Sequence, residues 1–112
     1  MKTCDKIYNC PIEATMELIG GKHKAIILFH LRGTTLRFNE LRKLIPQATP
    51  KMLTQQLREL EADNLISRVV YPVVPPKVEY SLTGFGSSII PILDVMCDWG
   101  RTYLSDSVKT TA

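Results

Sequence analysis

Leu53, Leu57 and Leu60 recur at intervals of four and three, the spacing that stacks side chains along one face of a helix. At about 100° per residue, Lys51, Thr54, Gln55 and Arg58 fall on the opposite side. Thr49 suits the N-cap, because its hydroxyl can accept from a first-turn amide. Pro50 suits the first helical position, where a missing N–H costs nothing. The pattern predicts a helix from Thr49 to Asp63, closed by Asn64, which tolerates the left-handed conformation wanted there.

Upstream, Met1 to Asn9 carries little periodicity and reads as an arm. Pro11 then opens a short helix with Glu13 in its first turn and Ile12, Met16 and Ile19 on its apolar side, ending at Gly20-Gly21. Lys22 to Leu31, with Ala25, Ile26, Ile27, Leu28, Phe29 and Leu31, is the most apolar stretch so far and predicts the central core helix, with Gly33 as its left-handed cap. Thr35-Leu36 is too short for more than a β-bridge. Arg37 to Leu44 predicts an amphipathic helix with Phe38, Leu41, Leu44 and Ile45 inward, stopped by Pro46. Only Gln47-Ala48 separates it from the helix at Thr49, and two helices joined by so short a turn make a helix-turn-helix.

Downstream, Ile66 to Tyr71 is rich in β-branched residues, and Lys77 to Leu82 alternates polar and apolar; both predict strands. Pro72 to Pro76 between them cannot sustain a ladder and predicts the hairpin loop of a wing. Thr83 caps a last helix. Along it Phe85, Ile89, Ile92, Met96, Trp99 and Tyr103 form one apolar strip, and Ile90, Leu93, Cys97 and Leu104 a second beside it. Together they span about 180°, against the roughly 100° that one core needs. One strip is expected on the domain and the other on a second copy of the chain. Pro91 is expected to kink this helix without ending it. The fold class expected is α+β, mainly helical: a winged helix-turn-helix with a two-stranded β wing and a terminal dimerisation helix, with residues 1–112 forming a single domain.

Composition narrows the function. With 45% hydrophobic and 22% charged residues the chain is globular and not disordered. No run approaches the roughly 18 apolar residues of a membrane span, and no signal peptide is recognised, so the cytoplasm is expected. The formal net charge is +3, unevenly placed. From Lys22 to Arg58 there are eight bases and one acid, Glu40, giving +7 there and −4 elsewhere. A basic centre in an acidic remainder points to a polyanion-binding face.

The outward face of the 49–63 helix fits double-stranded DNA. Gln can bond adenine through two atoms, Arg and Lys reach guanine or phosphate, and Thr serves either. Lys51, Thr54, Gln55 and Arg58 are the candidate major-groove contacts, with Thr49 a further DNA-binding candidate, Arg37 against phosphate, and the wing cations Arg68 and Lys77 against phosphate or the minor groove. The three cysteines lack metal-type spacing, as do His23 and His30, so neither a metal nor another cofactor is expected. Cys10 sits at a helix N-terminus, where amides favour thiolate; position alone leaves open a small structural cysteine. A thiol enzyme built on Cys10 would need a base, for which His23 is the only local candidate. A protein-binding winged helix is the other alternative, disfavoured by an acid-free helix face.

Cys10-Pro11, Gly20-Gly21-Lys22, Arg37-Phe38-Asn39-Glu40-Leu41, Lys51-Met52-Leu53-Thr54, Leu57-Arg58-Glu59-Leu60-Glu61 and Pro76-Lys77-Val78-Glu79-Tyr80-Ser81-Leu82-Thr83 together make the chain resemble the HxlR-type transcriptional regulators, a winged-helix group related to the MarR family. They follow the family's order over about nine-tenths of the chain. His23 stands where that family usually has Trp, Thr49 where it has Ser, Ala48 where it has a larger aliphatic residue, and Asn64 where it has Gly. The resemblance implies a homodimeric repressor on a near-palindromic operator, joined through its first and last helices. Ile12, Met16, Ile90, Leu93, Cys97, Trp99 and Leu104 are the interface residues expected. It further implies a sensor role for Cys10, with Cys97 of the other copy as its candidate disulfide partner and an oxidant or small molecule, of identity unknown, as effector.

Overall fold

In the computed structural model, which describes residues 7–108, helix α1 (Pro11–Ile19) starts at its proline with Cys10 extended ahead of it. The arm expected before it lies largely outside the described residues. Only Ile19 of α1 is buried, and Ile12 and Met16 are exposed.

Helix α2 (Lys24–His30) begins two residues later than the apolar pattern implied. His23 and Lys24, two polar residues, are buried at its start, so sequence periodicity could not locate it. Ile27, Leu28 and Leu31 form the middle of the core. Gly33 takes φ +67°, the left-handed conformation expected of it.

Leu36–Arg37 is strand β1, and Phe38–Leu44 is helix α3. Arg37 therefore precedes the helix instead of opening it, and its backbone N–H donates to Glu40 Oε1 at 2.8 Å, a first-turn carboxylate holding the entry. Leu41 and Ile45 are fully buried, whereas Leu44, expected inward, is exposed. The chain leaves helical geometry at Ile45, whose side chain fills the core beside Leu41, while Leu44 is left on the outward side of the last turn.

Helix α4 (Pro50–Ala62) has the predicted start: Thr49 is extended and its Oγ1 accepts from Met52 N at 3.1 Å. Leu53, Leu57 and Leu60 are buried against the core, each worth about 1.5–3 kcal/mol over leaving it in water. Asn64 takes φ 61° and turns the chain into strand β2 (Ile66–Tyr71). Strand β3 (Lys77–Leu82) pairs with it antiparallel, Ile66 opposite Leu82 and Tyr71 opposite Lys77. The sheet has three strands in the order β1-β3-β2, because β1 adds to the far side of β3 with Leu36 opposite Tyr80. The two-stranded wing thus widens into a small sheet.

The last helix is divided. Helix α5 (Gly84–Ser87) and helix α6 (Ile90–Tyr103) are separated by a turn at Ser88-Ile89. The single kinked helix expected is not formed: Pro91 has no amide for Ser87's carbonyl and its ring crowds that carbonyl, so the helix stops and restarts. Thr83 ties α5 down, its Oγ1 accepting from Gly86 N at 2.9 Å and donating to Asn64 O at 2.7 Å. Leu93 is buried in the domain's own core and Ile90 packs against it. These two, expected at a dimer interface, belong instead to the strip that holds α6 to its own domain. Among the described residues, no helix is long and apolar enough to cross a membrane.

Gly86 lies so close to the start of β2 that an added Cβ would overlap the carbonyl oxygen of Leu65, while a Cβ on Gly84 meets nothing within 4 Å. Gly86→Ala is expected to lower the unfolding free energy by about 1–3 kcal/mol, since backbone cannot move aside as a side-chain tip would. Gly84→Ala is expected to be neutral or slightly stabilising. Chemical denaturation of both at equal protein concentration checks the pair.

Candidate nucleic-acid interface

Because the three leucines fix the inward side of α4, its other side is turned to solvent. Lys51, Gln55 and Arg58 are exposed there and Thr54 is half-buried. Thr54 Oγ1 donates to Pro50 O at 2.8 Å, so its hydroxyl hydrogen is engaged and its lone pairs face out. Thr49, spent on the cap, remains exposed at the helix start. Phe38, Pro50, Lys51, Thr54, Gln55 and Arg58 line one shallow depression of about 410 Å³. The structure therefore groups four of the sequence-selected residues on one surface.

Gln55 is not free. Its Nε2 donates to Glu59 Oε2 at 2.8 Å, and Glu59 Oε1 takes Lys24 Nζ at 2.8 Å. Hydrogen bonds from Lys24 and then Gln55 hold the Glu59 carboxyl below the usual carboxylate range. Lys24 belongs to the basic segment and Glu59 to a family-like motif, but nothing in the sequence pattern pairs the two.

The flanking cations are distributed differently from the sequence reading. Arg37 is exposed on β1, opposite Glu79 of β3. Lys77 pairs with Glu79 at 3.3 Å and stands 5.0 Å from the centre of the Tyr71 ring, so its charge is partly spent within the wing. Arg68 is opposite Tyr80, three positions in from the loop end of the hairpin. With Thr54, Leu57, Arg58, Glu61 and Tyr80 it lines a hollow of about 330 Å³ between α4 and the sheet. Arg68 thus joins Arg58 and leaves the wing tip without it. That tip is apolar, with Val73 and Val74 exposed. Two further cations, Arg42 and Lys43, line a hollow of about 530 Å³ with Asn39, Pro46 and Ala48 beside the turn into α4. Their membership of the basic segment was the signal that could have singled them out.

The candidate chemistry of cysteine and histidine separates. Cys10 is exposed at the start of α1, and Cys97 is half-buried on α6; both are free thiols. His23 is buried with neither ring nitrogen partnered, so it makes no hydrogen bond to Cys10. His30 is held below its ordinary value by burial first and by Arg32 second. Among the described residues, no three His, Cys, Asp or Glu are placed to hold a metal.

On α6 the strip left outward is Ile92, Met96, Trp99 and Tyr103, all exposed, with Val95 and Leu104 beside it. The rings of Trp99 and Tyr103 pack against each other at a tilt of 40° with centres 5.2 Å apart. A small apolar hollow of about 190 Å³ lies between α1 and α5, lined by Leu18, Ile19, Leu65, Phe85 and Ile89 among others.

Comparison with known proteins meets this geometry. The family model described as HxlR-like helix-turn-helix matches residues 18–108. The HTH-type transcriptional regulator YtcD of Bacillus subtilis is 55% identical over 100 residues, covering 89% of this chain and 79% of the relative. A further HTH-type transcriptional regulator, from Methanothermobacter thermautotrophicus, is 52% identical over 99 residues, covering 88% of this chain and 76% of the relative. Among solved structures, the redox regulator HypR in its oxidised form superposes with a TM-score of 0.80 at 53% identity, covering 83% of this chain and 96% of that one. The reduced form of the transcriptional regulator YodB from B. subtilis superposes with a TM-score of 0.73 at 30% identity, covering 90% of this chain and all of that one.

Proposed function

The chain belongs to the HxlR-like helix-turn-helix family of transcriptional regulators, and on that basis we propose that it is a homodimeric repressor that reads a near-palindromic operator with α4. The observation that carries this reading is the face of α4 itself: Lys51, Gln55 and Arg58 exposed at the leading end of a helix anchored from behind by three leucines. Residues in the first turns of such a helix reach base edges in the major groove. Thr49, Arg37, Arg42 and Lys43 then lie toward phosphate, with Arg68 beside Arg58 and Lys77 on the wing. Repression follows from occupancy, since a dimer seated on an operator excludes other proteins from the same duplex. A protein with this task works in the cytoplasm, where the DNA is. Catalysis by Cys10 is disfavoured, because His23 is sealed in the interior with both ring nitrogens unpartnered and supplies no base.

Binding is expected to weaken linearly in log affinity with log salt, by about 0.9 per phosphate neutralised. Arg42→Ala should weaken specific and random duplexes alike and flatten that slope by about one unit for each half-site. Filter binding between low and moderate salt measures both. A slope near zero for the unaltered protein would remove DNA from the reading.

The dimer is proposed to form on the outward strip of α6, Ile92, Met96, Trp99 and Tyr103 with Leu104, together with Ile12 and Met16 of α1. Strips of this size left in water mark an interaction surface. A two-fold dimer places two α4 helices on half-sites about one helical turn apart. Trp99→Glu is expected to give a folded monomer by sedimentation, with its circular dichroism kept and operator binding lost. Retention of the dimer would move the interface elsewhere.

Cys10 is proposed as the sensor. Its thiol is exposed beside the α1 part of that interface, and two similar regulators, HypR and YodB, have been solved in oxidised and reduced or in reduced and diamide-treated forms. Diamide takes up the two electrons and two protons released when two thiols join, here Cys10 with Cys97 of the other copy. The product would shift the two α4 helices out of register with their half-sites. Operator binding before and after diamide is expected to fall for the unaltered protein and to hold for Cys10→Ser. Equal responses of the two would clear Cys10 of the role.

A further inference from the structure

Resting on the reading of α4 as the base-contacting helix, we propose that Glu59 is a positioning residue, clamped by buried Lys24, that orients the Gln55 amide to select adenine. The argument starts at the N-terminus of α2. Lys24 is 7% exposed, and an ammonium so placed demands a partner. Its Nζ lies 2.8 Å from Glu59 Oε1. The backbone that carries it is fixed to α4 a second time, since His23 N–H donates to Gln56 Oε1 at 3.1 Å. A Cβ on Gly21 would come 2.7 Å from that same Gln56 oxygen, so a side chain there would press on the group that accepts from His23. Lys24 is therefore a fixed post, and it holds one oxygen of the Glu59 carboxylate, whose side chain is 39% exposed, at the edge of the buried site.

The second oxygen of that carboxylate, Oε2, receives Gln55 Nε2 at 2.8 Å. An ionised carboxylate only accepts, so the amide can face it with nitrogen and never with oxygen. Gln55 itself is exposed, and a free glutamine there would present either end to a base with equal ease. With one Nε2 hydrogen spent on Glu59, the amide keeps one hydrogen and the lone pairs of Oε1. One donor beside one acceptor is the edge that matches N7 and the N6 amino group of adenine. The reversed amide would put its donors outward and suit the acceptors of guanine or thymine. Glu59 also remains ionised through neutral pH, since both of its hydrogen bonds favour the charged form.

Glu59→Gln replaces the acceptor-only carboxylate by a group that can donate or accept, and removes one negative charge from the DNA side. Two effects are then expected with opposite signs. Affinity for random duplex rises, because a repulsion of phosphate is gone. Preference for adenine at one position of each half-site falls about ten-fold, with guanine and thymine gaining. A residue with a merely structural role would lower both together. The experiment is selection of duplexes from a library with randomised half-sites, using the full chain unaltered and as Gln55→Ala, Glu59→Gln and Lys24→Met/Glu59→Gln. The double variant removes the buried ammonium as well, so it keeps the test open where the single one fails to fold. Gln55→Ala locates the position. Relaxation there by either Glu59 variant supports the clamp. If the unaltered protein selects and Gln55→Ala relaxes one position while both Glu59 variants keep adenine, the clamp is overturned and the DNA reading stands. If the unaltered protein enriches no sequence, the reading itself fails and the clamp with it.

Discussion

The seating of α4 by Leu53, Leu57 and Leu60 is the constraint on which the remainder depends. Those three side chains share one core with Ile27 and Leu28 of α2, Leu31 just after it, and Leu41 and Ile45 of the preceding helix and turn. An apolar stripe can be buried in only one rotation of the helix about its axis. Burying it decides, without further interactions, which residues are left to the surface. The polar face is thus a by-product of packing, and its orientation is as rigid as the core beneath it.

The sheet and α5 serve that seating from the other end. Asn64, in the left-handed conformation, sends the chain from α4 straight into β2. Thr83 returns to the same place, its N–H donating to Leu65 O at 3.1 Å and its hydroxyl to Asn64 O. The exit of α4 is therefore tied to the exit of the hairpin, and Gly86 lets α5 close over the junction. This tie holds the wing at a set angle to α4, which is why Arg58 and Arg68 face one hollow although ten residues apart in sequence.

Elements whose cause is local were legible in the sequence. Thr49, Pro50, Gly33 and Asn64 act through their own backbone preferences, and β2 and β3 have the bounds that alternation and branching assign them. What stayed hidden was caused at a distance. Strand β1 is two residues long and exists only because β3 offers an open edge. Helix α2 begins at Lys24 because partners on α4 make burial of a lysine tolerable there. Pro91 was visible, but whether it bends or divides a helix depends on how firmly the preceding turn is held elsewhere. The outward face of α4 was legible residue by residue; the Lys24–Glu59–Gln55 chain behind it was not, since its members are up to 35 positions apart in a sequence that gives no hint of their meeting.

Lys51, Gln55 and Arg58 contribute nothing to the core, and exchange of such surface residues typically alters folding free energy by less than about 0.5 kcal/mol. Duplicated genes of this architecture can therefore drift apart in what their products bind while each intermediate still folds. Glu59 limits that freedom at one point, because an apolar residue there would take an ion-pair partner from a buried lysine. Paralogues descended from this chain would diversify first at 51 and 58. Position 59 would change only together with 24, so that the two leave a joint trace across a lineage where the others vary singly.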